Sequence, residues 1–280
     1  MPDFAESYDL WGAQRLSPLL PPRPVDSHKG RNGHVLCVGG NAGSGGAVML
    51  SAESALRAGA GLVSVATQPQ HVAPLLARLP EAMVHAVQDS GELQALLPRT
   101  TVIAIGPGLG QDDWARELYR QVLASGKPLV IDADALNLLA AHPQPLQDAI
   151  LTPHPGEAAR LLGTDTGSVQ ADRFAAAAAL AARFNGVVVL KGAGTVVTAP
   201  HARPRVIAAG NPGMAVGGMG DLLTGIIAAL RAQGLDAFDA ASSGALLHGL
   251  AGDAAASEGQ RGLLPTDLLV PLRRLVNPEP

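Results

Sequence analysis

Residues 34–67, "HVLCVGGNAGSGGAVMLSAESALRAGAGLVSVAT", decide the fold. The opening "HVLCVGG" reads as a strand. "GGAVMLSAESALRAG" reads as a helix that stops at Gly59, because glycine takes the left-handed conformation past a helix end at little cost. "GLVSVAT" is the next strand. Short strands made of near-continuous apolar runs suit a sheet covered on both faces. Strand, helix, strand in that order is a right-handed βαβ unit.

The same alternation continues along the chain. "TVIAIG", "PLVIDA", "AILTPH" and "GVVVLKG" are short and rich in branched apolar residues, and helices are expected at 113–124, 134–140, 156–162 and 170–184. "GVVVLKGAGTVVTAP" reads as a hairpin, with "RPRVIAA" as a third strand. After Gly217 the chain turns mainly helical, near 219–233, 237–257 and 265–275. Residues 1–33 read as irregular or partly helical, since "SPLLPPRP" cannot hold a regular helix. No internal repeat or interdomain linker is visible. The expectation is one α/β domain, a three-layer α/β/α sandwich over residues 26–280, behind an N-terminal arm of residues 1–25. In open α/β sheets the ligand site lies at the C-terminal edge of the strands.

Composition narrows the function classes. Of the 280 residues, 47% are apolar, which supplies a core, and a net charge of −4 gives no electrostatic reason to expect nucleic acid or an anionic membrane as partner. The single cysteine, Cys37, excludes an intrachain disulfide and sits in an apolar run, as a small buried hydrophobe would. The longest apolar tract, "FAAAAALAA", is too short to span a bilayer. The N-terminus lacks the pattern of a secretory signal, and the default expectation is a cytoplasmic protein.

The chemistry-bearing stretches lie at strand ends. "GGNAGSGGA" (39–47) matches neither the phosphate-loop nor the dinucleotide spacing, so a tight turn with close helix packing is the plainer reading. "IGPGLG" (105–110) reads equally as a sharp connection or as a place where a ligand meets bare backbone. In "VIDADALNLL", Asp134 is either an N-cap or functional, while Asp132 and Asn137 suit a polar pocket wall. "LTPHPGEAARLL" holds His154 rigidly between two prolines, with Glu157 in a first helical turn that favours carboxylates. Lys191, ahead of two glycines, reads as a phosphate contact or as a solvated hairpin residue.

"GNPGMAVGGMGDLLTG" (210–225) is the most specific stretch. A glycine run entering a helix offers unpaired N–H groups to an anion. Asp221, in the first turn, could take a proton from a hydroxyl while those groups hold the phosphoryl group moving onto it. Capping alone needs one suitable residue, not six glycines.

Taken together, these motifs resemble the ADP- or ATP-dependent NAD(P)H-hydrate dehydratases of the ribokinase-like superfamily, over roughly residues 26–275. The resemblance implies that the nucleotide phosphorylates the hydroxyl of hydrated NADH or NADPH, and that phosphate then leaves to restore the reduced cofactor. With ADP as donor the by-product is AMP. It implies Asp221 as base and hydrate contact. Ala47, Gly108 and His154 would line the hydrate pocket, and Lys191, Gly192, Ala193, Gly194, Thr195 and Gly220 would hold the adenine nucleotide. It further implies Mg2+ carried with the nucleotide and no dedicated protein metal site, a separate NAD(P)H-hydrate epimerase supplying the S epimer, and a homo-oligomer such as a tetramer. Asn41 stands where the family pattern leads one to expect serine. The alternative within the fold is a small-molecule kinase of the hydroxymethylpyrimidine or hydroxyethylthiazole type, using the same Asp221.

Overall fold

The central strands are apolar along almost their whole length because helices cover them above and below. The computed structural model describes residues 8–278. Among them, ten strands form one sheet. They are β1 (Asp9–Leu10), β2 (His34–Val38), β3 (Leu62–Thr67), β4 (Met83–Ala86), β5 (Val102–Ile105), β6 (Leu129–Ile131), β7 (Ala149–Leu151), β8 (Val187–Leu190), β9 (Thr195–Thr198) and β10 (Arg205–Ile207). Their order is β1-β10-β9-β8-β7-β6-β5-β2-β3-β4. Neighbours run parallel except β9, which is antiparallel to both β8 and β10. The expected hairpin and third strand are therefore present.

Side chains alternate between two cores. Val35, Cys37, Val63, Val65, Val130 and Ile150 face the layer formed by helices Gly45–Arg57, Met219–Ala232, Ala237–Ala255 and Leu269–Leu275. Leu36, Val38, Ile103, Ile105, Ile131 and Leu151 face helices Asp113–Ala124, Ala133–Ala141, Pro155–Leu162 and Arg173–Phe184. A strand apolar on both faces is the consequence. Cys37 is buried in β2, and burial pushes its thiol up to about 12, so it packs as a hydrophobe. Among the described residues no helix is long and apolar enough to cross a membrane.

Besides two short helices that the sequence did not announce, Val72–Arg78 and Ser90–Gln94, three elements differ from the sequence expectation. The helix expected at 170–184 is two helices, Thr166–Ala171 and Arg173–Phe184. They break at Asp172, whose carboxylate accepts from Ala175 N at 2.9 Å and caps the second. The exposed, mixed "MVHA" of β4 carried no strand signal. From Tyr8 onward the N-terminal arm is woven into the sheet; its residues 1–7 lie outside the described residues. There β1 pairs with β10, and Trp11 and Leu16 are buried in the core. The Arg205 guanidinium lies between the Trp11 ring (3.7 Å) and the Phe238 ring (3.9 Å), and bonds Asp239 at 2.7 Å. That cation–π sandwich ties the arm to the domain.

Helices Gly45–Arg57 and Met219–Ala232 touch at their backbones. A Cβ on Gly225 would collide with the Ser51 carbonyl and the Ser54 hydroxyl. At this crossing Ser51 Oγ donates to the Asp221 carbonyl at 2.7 Å. Replacing Gly225 by Ala gains helix propensity of about 1 kcal/mol but must spread two packed helices. Urea unfolding of Gly225→Ala should show a net loss of about 1–2 kcal/mol; stability equal to or above wild type would show that the crossing is not tight.

Candidate active site

Helix Met219–Ala232 starts from Gly218, whose φ of 95° no branched side chain tolerates well. Its first helical bond runs from Leu222 N to Gly218 O at 3.1 Å. The N–H groups of Met219, Gly220 and Asp221 precede that bond, so they are the donors that a helix N-terminus leaves without an intrahelical partner. Asp221 sits in this first turn at the C-terminal edge of the sheet.

Beneath it lies a buried ionic cluster. Asp132 ends β6 and is 1% exposed. Lys191 follows β8; its N–H donates to Pro153 O at 2.9 Å, and its ammonium bonds Asp132 Oδ1 at 2.8 Å and lies 3.7 Å from Glu157 Oε2. Thr224 Oγ1 donates to Asp132 Oδ2 at 2.9 Å. Gly220 roofs the pair: a Cβ there would lie 3.2 Å from Lys191 Nζ and 3.4 Å from Asp132 Oδ2. Lys191 is thus mostly buried rather than a solvated hairpin residue, and its charge is directed inward onto Asp132.

The charges determine the titration. Burial would raise the Asp132 carboxyl, but the Lys191 ammonium and hydrogen bonds from Lys191, Thr152 and Thr224 hold it below the usual range. Burial likewise works against the Lys191 charge, and Asp132 and Glu157 more than restore it. Asp221 is different. Burial first, then the nearby Asp132 charge, push it up to about 6, while Lys191 pulls the other way.

His154 occupies the N-cap of helix Pro155–Leu162. Its Nδ1 accepts from Gly156 N (3.0 Å) and Glu157 N (3.4 Å), while Glu157 Oε2 accepts from His154 N at 2.7 Å. This is a capping box with a histidine in the usual serine role. With Nδ1 an acceptor, the neutral ring carries its proton on Nε2. Glu157 therefore does more than favour the helix dipole: it locks His154 and faces Lys191.

The two glycine loops are stitched together. Gly40 N donates to Pro107 O (3.1 Å) and Asn41 N to Gly108 O (2.6 Å). Gly108 has φ of 60°, and a Cβ there would lie 3.2 Å from the Ala47 Cβ, so Ala47 and Gly108 are neighbours. Asn41 Nδ2 donates to Leu109 O (3.1 Å) and Asp112 Oδ2 (2.9 Å), so this residue braces the loop pair. Asp134 does not cap its helix; Oδ2 accepts from Gly110 N at 2.8 Å and pins the second loop. Asn137 Oδ1 is buried without a hydrogen-bond partner. Ser51, one helical turn past Ala47, reaches the Asp221 carbonyl and brings this wall to helix Met219–Ala232.

Residues 191–195 form the β8–β9 turn, with Gly192 at φ 146° and Gly194 at 63°. Arg173 holds it from below: Nη1 donates to Ala193 O (2.6 Å) and Gly194 O (3.0 Å), and Nη2 to Leu190 O (2.9 Å). Asp221, Gly220, Lys191, Asp132, Glu157 and His154 thus cluster, Ala47 and Gly108 form an adjoining wall, and Gly192 to Thr195 lie at the hairpin end. Sequence reasoning missed Arg173, Thr224 and His248. The burial of His248 pushes its pKa down to about 4, and its Nε2 has no partner. Nothing local marks these residues, because each acts on a segment tens of residues away. Among the described residues no group of three or more His, Cys, Asp and Glu side chains is arranged to hold a metal ion.

If Asp221 must be ionised to act, activity falls as pH drops through about 6. Asp132→Asn removes a neighbouring charge that raises the Asp221 pKa, leaving Lys191 to lower it. The acidic limb of the kcat/KM profile should therefore move to lower pH. Lys191→Met should move it higher, at the cost of a stranded Asp132. Identical limbs in wild type and Asp132→Asn would remove Asp221 as the titrating group.

Comparison with known proteins gives a consistent picture. Residues 35–274 match the family model described as NAD(P)H-hydrate dehydratase. A bifunctional NAD(P)H-hydrate repair enzyme of Coxiella burnetii is 54% identical over 262 residues, covering 93% of this chain and 54% of that protein. The chain spans about half the length of the curated relatives it matches. A ribokinase-like superfamily protein from Enterococcus faecalis superposes with TM-score 0.89 at 33% identity, covering 97% of this chain and 96% of that one. The crystal structure of an ADP/ATP-dependent NAD(P)H-hydrate dehydratase from Bacillus subtilis, co-crystallised with ATP/Mg2+, superposes with TM-score 0.87 at 30% identity, covering 96% and 98%. The three-layer sandwich is the ribokinase-like fold.

Proposed function

The chain belongs to the NAD(P)H-hydrate dehydratase family, and from that premise we propose that it dehydrates the S epimer of hydrated NADH or NADPH at the expense of ADP or ATP. The observation that carries the reading is Asp221. It is a carboxylate with pKa about 6, set beside three N–H groups that a glycine-entered helix leaves without intrahelical partners. A base near the operating pH, next to donors for a phosphoryl group, is what transfer to a hydroxyl requires.

In this reading Asp221 takes the proton of the C6 hydroxyl as its oxygen attacks the terminal phosphorus of the nucleotide. The P–O bond to the leaving nucleotide breaks, and the N–H groups of Met219 to Asp221 hold the transferred group. Phosphate is a far better leaving group than hydroxide. The ring nitrogen lone pair then expels it from C6, and a proton leaves the adjacent carbon, giving NAD(P)H, phosphate and AMP (from ADP) or ADP (from ATP). Ala47, Gly108 and His154 would face the hydrate, with His154 presenting its Nε2–H. The turn Lys191–Thr195 and Gly220 would border the nucleotide. Lys191 would act there as a buried positive charge rather than as a flexible arm. Asp132 and Glu157 are engaged by Lys191, so Mg2+ would arrive on phosphate oxygens and neutralise them, not sit in a carboxylate cage. The same proposal has the R epimer converted to S by an epimerase acting as a separate partner. A cytoplasmic homotetramer is part of the same proposal, and mass photometry would check the assembly.

The direct test incubates the protein with hydrated NADH and either nucleotide while following the reduced-nicotinamide absorbance. Recovery of that band with nucleotide consumption is expected; phosphorylation of a thiazole or pyrimidine alcohol without it would replace this function with a kinase. Asp221→Asn should lower kcat by about 100-fold or more with nucleotide affinity, measured by calorimetry, within a few-fold of wild type. Gly220→Val should weaken that affinity, because its side chain would enter the space above Lys191.

A further inference from the structure

Helix Ala237–Ala255 carries "HGLAGD" (248–253), a stretch the proposed reaction does not use. One face of it, buried at Gly249 and Gly252, is fitted to the segment that leads into the anion-binding helix. Gly249 meets the Ala209 backbone; a Cβ there would lie 2.7 Å from Ala209 O. Gly252 leaves room for the Met214 thioether. Asp253 then bonds the loop twice: Oδ2 accepts from Gly210 N at 2.9 Å and Oδ1 from Asn211 Nδ2 at 3.0 Å. Asn211 Oδ1 in turn accepts from Gly213 N at 3.0 Å and caps the turn Pro212–Met214. One turn before Gly252, the His248 ring faces the Met219 backbone, at the first residue of the anion-binding helix.

A glycine-rich loop has few side chains with which to pack itself, and each glycine has the widest conformational freedom to lose. Residues 210–218 must therefore be fixed from outside. We infer that Asp253 is a positioning residue: through Gly210 and Asn211 it sets where the loop delivers Gly218, and so where the N–H groups of Met219, Gly220 and Asp221 point. The inference rests on the phosphoryl-transfer reading of that helix. It assigns the relay Asp253–Asn211–Gly213 the task of preorganising donors whose misplacement by about 1 Å costs on the order of 100-fold in rate.

Asp253→Asn keeps size and shape but sets an amide against the Asn211 amide, so only one of the two can keep its bond. The expected result is a kcat reduced about 10- to 100-fold, with KM for the hydrate within threefold and an unchanged thermal midpoint. Asn211→Ala should show the same split, and the double variant should be no worse than either single one. A kcat within twofold of wild type in Asp253→Asn, or additive losses in the double variant, would overturn the assignment. Should Asp253→Asn fail to fold, the Asn211→Ala kcat alone decides by the same twofold limit. Wild-type hydrate turnover, run in parallel, separates this inference from the function it rests on. If wild type shows none, amide hydrogen exchange over residues 210–221 decides instead. Faster exchange in Asp253→Asn supports positioning, and unchanged exchange overturns it.

Discussion

The ammonium of Lys191 against the carboxylate of Asp132 is the contact on which the site depends. It joins the end of β8 to the end of β6, and Thr224 adds helix Met219–Ala232 to the same carboxylate. Three segments far apart in the chain therefore meet at one ion pair. Such a pair is a poor source of net stability, since desolvation costs about as much as the attraction returns. Stranding either partner is costly all the same, at roughly 3–5 kcal/mol, so the geometry is enforced. Gly220 is the corollary: a Cβ there would stand 3.2 Å from the ammonium, so the helix N-terminus comes down closely onto the pair and a larger side chain would press on it.

The pair also explains why neighbouring carboxylates behave differently. Asp132 holds the ammonium directly, and Glu157 shares it while bonding the His154 N–H. Asp221 receives attraction from Lys191 but more repulsion from Asp132, with Asp134 and Glu157 adding to it, and it is substantially buried. Environment alone thus raises the Asp221 carboxyl while holding Asp132 below the usual range.

How much of this the sequence disclosed follows from the range of each interaction. The βαβ alternation and the glycine-entered helix are local patterns, and they were legible as such. Asp221 and His154 were legible because backbone restraint surrounds them in the sequence itself. The direction of Lys191 was not: a lysine before two glycines says nothing about a carboxylate 59 positions away. Asp134 read equally as a cap, because its actual partner, the Gly110 N–H, lies in another loop. Arg173 was hidden inside an alanine-rich helix, and its three carbonyl acceptors belong to the hairpin. The strand in the N-terminal arm escaped notice for a similar reason. Two residues gain strand geometry only from β10 beside them.

The net charge of the cluster bears on how such a base works. With Asp221 ionised, three carboxylates surround one ammonium, and an incoming polyphosphate adds more negative charge. In the proposed reaction the proton that Asp221 would accept from the hydroxyl relieves that repulsion, so the transfer is favoured by the same field that raised the pKa. The field is useful only if the transferred group meets positive ends elsewhere, and those are the N–H groups preceding Leu222 N. In that proposal base and anion hole are parts of one helix turn, and neither can be moved independently of the other. That turn is held through the Asp221 carbonyl by Ser51, and through the glycine loop by Asp253. The freedom that lets the backbone approach a phosphoryl group is thereby removed by contacts at both ends.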